Sequence, residues 1–133
     1  MSIKNESAVV RQLARRFGRM VVWWGTSLEA RSSLVRLLRE DALDQDGLAQ
    51  ARDRLSLLAR RWSEMLPTDG VRSVAEVLLD RHPLRAADAL QLGAALEWCG
   101  GRPRERAFIC LDERLAQAAA AEGFAAFPVP SAK

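Results

Sequence analysis

Between Pro83 and Trp98 the chain runs Leu-Arg-Ala-Ala-Asp-Ala-Leu-Gln-Leu-Gly-Ala-Ala-Leu-Glu. The spacing predicts a helix over 84–98 that is apolar on almost every side. Such a helix belongs inside a protein, with other elements packed around it. One charge interrupts its apolar surface. Asp88 follows Arg85 by three residues and precedes Gln91 by three, and residues three apart are neighbours on a helix face. A buried charge is costly unless it is paired or binds a metal. Asp88 is therefore either the partner of Arg85 or a metal-binding carboxylate, and these residues alone leave both readings open.

The segments around this helix predict short strands alternating with helices. Met20-Val21-Val22-Trp23-Trp24 is β-branched and aromatic and bounded by glycines, which marks a buried strand. A very short strand is expected at 65–66, stopped by Pro67. The clearest strand spans 107–111, and a last one spans 124–127. Helices are expected at 6–17, from Thr26 to about residue 40, at 47–62, 70–80, 84–98 and 113–121. Thr26-Ser27-Leu28-Glu29 has the pattern of a capping box. Asp46, Thr68 or Asp69, and Asp112 stand where helix caps are needed. Residues 128–133 are expected to form a loose tail. This alternation predicts an α/β sandwich with a parallel sheet covered on both faces. In such sheets, sites form beyond the carboxyl ends of the strands. Glu29 and Asp112 both lie just past such ends.

Composition narrows the chemistry. The 133 residues suit one domain. The formal charge of +3 is compatible with a polyanionic partner without requiring one. Two cysteines, Cys99 and Cys110, form no CxxC, and the lone histidine, His82, precedes a proline. A disulfide framework and a structural zinc site are not expected. Nor is a membrane span, because no apolar run approaches ~18 residues. The N-terminus has no apolar signal segment, so a reducing cytoplasm is the expected setting.

Three acids stand out: Glu29, Asp88 and Asp112. Each has a structural explanation, as the last residue of a capping box, an ion-pair partner and an N-cap respectively. Taken together they form an all-carboxylate set without histidine or cysteine. Such a set favours a hard cation, Mg²⁺ or Mn²⁺, which characteristically acts on phosphate esters. No Gly-rich phosphate loop, Ser-His-Asp set or reactive-cysteine set competes with this reading.

The stretch Leu84-Arg85-Ala86-Ala87-Asp88-Ala89-Leu90-Gln91-Leu92-Gly93-Ala94-Ala95 resembles a motif of the PIN domains, and within them of VapC-type toxins. So does Phe108-Ile109-Cys110-Leu111-Asp112-Glu113-Arg114-Leu115, with Ala118-Ala119 and Glu122-Gly123-Phe124 after it. Val22-Trp23-Trp24-Gly25-Thr26-Ser27-Leu28-Glu29 resembles the second strand and following helix of the same family. The likeness covers roughly residues 6–127. It implies a three-layer α/β/α sandwich with a short parallel sheet, and a metal-dependent endoribonuclease that hydrolyses RNA phosphodiester bonds with Mg²⁺ or Mn²⁺. By motif match Glu29, Asp88 and Asp112 take the family's acidic, metal-holding positions, and Arg85 neighbours the site or the RNA phosphate. A cognate VapB-type antitoxin and a homodimer are also implied. A hydroxyl often stands two places before the last acid, where this chain has Cys110.

The chain departs from the family at its start. PIN domains of this kind open with a central strand that ends in a ligand aspartate, in a segment like Leu-Asp-Thr/Ser-Ser-Ala, and no such segment is present. The expectation is a single, N-terminally incomplete domain. Its sheet would expose two edges, and its acidic site would hold a cation weakly. A catalytically silent remnant that only binds an antitoxin or itself is the alternative. A helical interaction module whose acids are caps and ion pairs is a third reading.

Overall fold

The computed structural model describes residues 20–110, 112–127 and 130. The helix expected at 6–17 lies outside them, as do Leu111 and all of the 128–133 tail except Pro130. The described residues form a mixed α/β fold, mostly helical, with four short strands. In chain order these are β1 (Val21–Trp23), α1 (Thr26–Arg39), α2 (Gln45–Ala59), β2 (Ser63–Met65), α3 (Asp69–Arg81), α4 (Ala86–Trp98), β3 (Ala107–Ile109), α5 (Glu113–Ala121) and β4 (Ala125–Phe127). None of the described helices is long and apolar enough to cross a membrane.

α3 and α4 are the packing centre. α3 turns Val71, Ala75 and Leu78 inward, at the spacing of one helical face. α4 buries Ala89, Leu92, Gly93, Ala94 and Leu96. The two helices meet closely at Gly93, where a Cβ would stand 3.1 Å from the Val71 carbonyl oxygen and 3.2 Å from the Ala75 nitrogen. α4 then divides its apolar surface between two clusters. Leu92 and Leu96 join Leu78, Phe108, Leu115 and Phe124, with the Phe108 and Phe124 rings 5.5 Å apart. Ala94 joins Trp23 and Val71, with Met65 and Leu90 beside them. Full burial of a side chain such as Leu78 or Leu92 stabilises by about 1.5–3 kcal/mol.

In place of the one parallel sheet expected, the described strands form two separate parallel pairs. β1 pairs in parallel with β2, Val21 opposite Ser63. β3 pairs in parallel with β4, Ala107 opposite Ala125. Among the described residues no strand joins the two pairs. The ladder shows which edges have no partner strand among the described residues. Trp24 N–H donates to the Met65 carbonyl and Ser63 N–H to the Met20 carbonyl, both at 2.9 Å. Residues 20, 22 and 24 thus face β2, and Val21 and Trp23 turn their main-chain groups the other way. Cys110 N–H donates to the Phe127 carbonyl at 3.1 Å and Ala125 N–H to the Arg106 carbonyl at 2.9 Å. Ala107 and Ile109 therefore point their main-chain groups away from β4.

Several local expectations shift. α1 starts at Thr26, one residue earlier than a capping box requires, so Gly25 is the cap and no side chain caps the helix. Asp44, not Asp46, caps α2, accepting from Gly47 N–H at 2.7 Å; Asp46 sits in the first turn, where the helix dipole favours it. β2 begins at Ser63, ahead of the expected 65–66, and Leu66 lies outside it. α4 begins at Ala86, because Arg85 holds an extended backbone. Thr68 caps α3, accepting from Val71 N–H, and Asp112 caps α5, accepting from Leu115 N–H. The ends of α3 and α5 are tied by Glu122. Its carboxylate lies 2.7 Å from His82 Nε2 and accepts from Arg81 Nη1 at 3.1 Å.

Two measurements test this architecture. Gly93→Val forces side-chain atoms into the α3 backbone and is expected to cost ~1–3 kcal/mol, read as a lowered urea midpoint with unchanged slope. In amide hydrogen exchange by NMR, Val22, Trp24, Phe108 and Cys110 are expected to be protected, and Val21, Trp23, Ala107 and Ile109 to exchange freely. Equal protection at both sets of positions means that another strand occupies the open edges.

Candidate acidic site

The three acids come from three separate elements. Glu29 is in the first turn of α1, just after β1, and its N–H donates to the Gly25 carbonyl at 3.0 Å. Asp88 is in the first turn of α4. Asp112 is the N-cap of α5, just after β3. Two of the three thus follow the carboxyl ends of parallel strands, where α/β folds place their sites. Trp24 and Leu28, just after β1, and Leu66, just after β2, are exposed.

The charges couple. Burial pushes the Glu29 carboxyl above its ordinary value of 4.5, and the neighbouring Asp88 carboxylate raises it further. The Cys110 thiol is pushed up to about 11, first by burial, with the charges of Asp112, Asp88 and Glu113 adding to it. Cys110 is buried and donates from Sγ to the Asp112 carbonyl at 3.6 Å. Asp88 therefore acts on both Glu29 and Cys110, and Asp112 acts on Cys110. Such a field disfavours anions and favours protons or cations.

Other expectations about Asp88 change. It is half-buried, not buried, because the first turn of α4 emerges from the core: Ala86 and Ala87 are exposed and full burial begins at Ala89. It makes no ion pair with Arg85. Arg72–Asp69, Arg81–Glu122 and His82–Glu122 are ion pairs; Arg85–Asp88 is not. Arg85 is exposed, precedes the first turn of α4 and makes no side-chain cap. The polar seam is thus open at its start and only half-covered at Asp88 and Gln91.

A divalent cation is the group this donor set suits in kind, since carboxylate oxygens are hard ligands. Among the described residues, no three His, Cys, Asp or Glu side chains converge where a metal could sit. The acids share a field. Only the family resemblance marks Cys110, as the place where a hydroxyl often stands. Its burial beside Asp112 depends on the Phe108–Phe124 packing, which has no local sequence signal.

Neither models of known protein families nor curated protein sequences match this chain.

The coupling is testable. In Asp88→Asn, the Glu29 carboxyl is expected to titrate closer to 4.5, followed by carboxyl-carbon NMR. The pH dependence of stability follows the same logic. The folded chain holds the Glu29 proton more tightly than the unfolded chain does, so this group lowers stability as pH rises from 4.5 through the raised folded value. Above that value its effect is constant. Asp88→Asn is expected to shrink this loss, and an unchanged pH profile of the urea midpoint assigns the shift to burial alone.

Proposed function

We propose that this chain carries the acidic part of a VapC-type, PIN-like ribonuclease centre, one that does not by itself close around a cation. One observation carries the reading: Asp88 shares its field with Glu29 on one side and with Cys110, next to Asp112, on the other. In this reading acids from three distant parts of the sequence act through one shared field. In this reading Glu29, Asp88 and Asp112 supply negative oxygens, and Mg²⁺ or Mn²⁺ would supply the polarisation of an RNA phosphate. Arg85, exposed at the start of α4, would meet that phosphate. The domain belongs with single PIN-like sandwiches, and its setting is the cytoplasm.

The divided sheet supports the same reading. In this reading β1–β2 and β3–β4 are the outer pairs of one parallel sheet, with no strand among the described residues between them. The same observation favours a second reading, a silent PIN-like remnant whose role is to bind. Its open edges at β1 and β3 offer main-chain groups to another chain, an antitoxin or a second copy.

The two readings separate in one experiment. Purified chain is titrated calorimetrically with MnCl₂ and incubated with RNA, beside Asp88→Asn and Asp112→Asn. Asparagine at 112 preserves an N-cap, so folding is not confounded. The nuclease reading expects weak Mn²⁺ binding and slow cleavage, each reduced at least ~10–100-fold, the range lost even for outer partners of metal ligands. Cleavage and Mn²⁺ binding that are absent, or unaffected by both substitutions, leave the binding-only reading standing.

A further inference from the structure

The loop between α4 and β3 is a second charged feature, at the opposite end of β3 from Asp112. α4 ends in Trp98, which is 47% exposed. The chain then reverses through Gly100 and Gly101, both at positive φ. It brings Arg106 back over the Trp98 ring, with the guanidinium carbon 4.9 Å from the ring centroid. Arg102 and Arg104 are also exposed. None of the three arginines has an ion-pair partner among the described residues.

The loop is held in shape. Arg104 and Glu105 adopt φ of 46° and 60°, conformations that non-glycine residues keep only when their surroundings impose them. Arg106 N–H donates to the Pro103 carbonyl at 2.8 Å and Glu105 N–H to the Gly123 carbonyl at 2.9 Å. Pro103 is buried against Gly123. Two acids lie near in sequence. The Glu97 carboxylate lies over Gly70 at the start of α3, which leaves Glu105 as the one acid within the loop.

We propose that this loop is a docking surface for single-stranded nucleic acid. Arg102 and Arg104 take backbone phosphates, and a base stacks on the open part of the Trp98–Arg106 pair. The aromatic decides the ligand class. An acidic peptide would use only the charges, whereas unpaired bases use a flat π-surface beside a cationic stripe. A duplex keeps its bases stacked inside and gains nothing from Trp98. The surface does not depend on the three acids, so it stands or falls separately from the nuclease reading.

The test is fluorescence anisotropy of a short labelled oligoribonucleotide with the full chain in EDTA, where metal-dependent cleavage is silent, across a series of salt concentrations. Saturable binding is expected, with a duplex of the same sequence bound less tightly. Arg102→Ala with Arg104→Ala flattens the log–log salt slope by ~0.7 for each phosphate no longer neutralised. Trp98→Leu weakens binding roughly tenfold at unchanged slope, and Trp98→Phe restores most of it. All these side chains are exposed, so folding is expected to survive and is checked by circular dichroism. Absence of saturable binding overturns the proposal. So does an unchanged slope in the arginine variant, equal affinity for duplex, or displacement by polyglutamate as effective as by unlabelled RNA.

Discussion

The close approach of α3 and α4 at Gly93 is the interaction on which the rest depends. Gly93 lets the Val71 carbonyl and the Ala75 nitrogen come within van der Waals range of α4's backbone. Drawing the helices together aligns Val71, Ala75 and Leu78 on one side with Leu92, Ala94 and Leu96 on the other. Both strand pairs are then laid against this helix pair, one through Trp23, the other through Phe108. The strands are only three residues each and contribute few ladder bonds. Their positions are fixed by what their side chains touch on α4.

That dependence explains what can be read in the sequence and what cannot. The helices are legible because apolar spacing and turn residues are local: Thr68 and Asp112 stand where caps are needed, and both serve as caps. β1, β3 and β4 are legible from short apolar runs. The split of the sheet has no local signal, because strand pairing joins distant segments, and only the resemblance raises it. Boundaries move where backbone conformation overrides side-chain pattern, as at Gly25, which caps α1 in place of Thr26. Periodicity overstates the burial of Asp88 because it describes a whole helix, while exposure of the first turn depends on where the neighbouring elements end.

At the candidate site the same limit appears as chemistry. Residue type selects hard oxygen donors, and the fold brings their charges into mutual range. Convergence is more demanding. A cation needs its ligand oxygens at ~2–2.6 Å, whereas Coulomb coupling persists over a Debye length of about 8–10 Å. Shared field and shared ligation are thus separate properties. The first is seen here, with Asp88 acting on both Glu29 and Cys110. α1 has no buried residue and α2 buries only Leu48, so the element that carries Glu29 is the one least fixed to the core.

The division of the core between two clusters has a consequence for cooperativity. Leu78, Leu92 and Leu96 serve one cluster, Val71 and Ala94 the other, and only the α3–α4 pair belongs to both. With no strand among the described residues bridging β1 and β3, disruption of the Phe108–Phe124 side is transmitted to the Trp23 side only through these two helices. The described core thus has two parts sharing one spine, an arrangement that suits opening of one part while the other persists. Glu29 rides on one part and Asp112 on the other, so the acidic field exists only while both are closed at once.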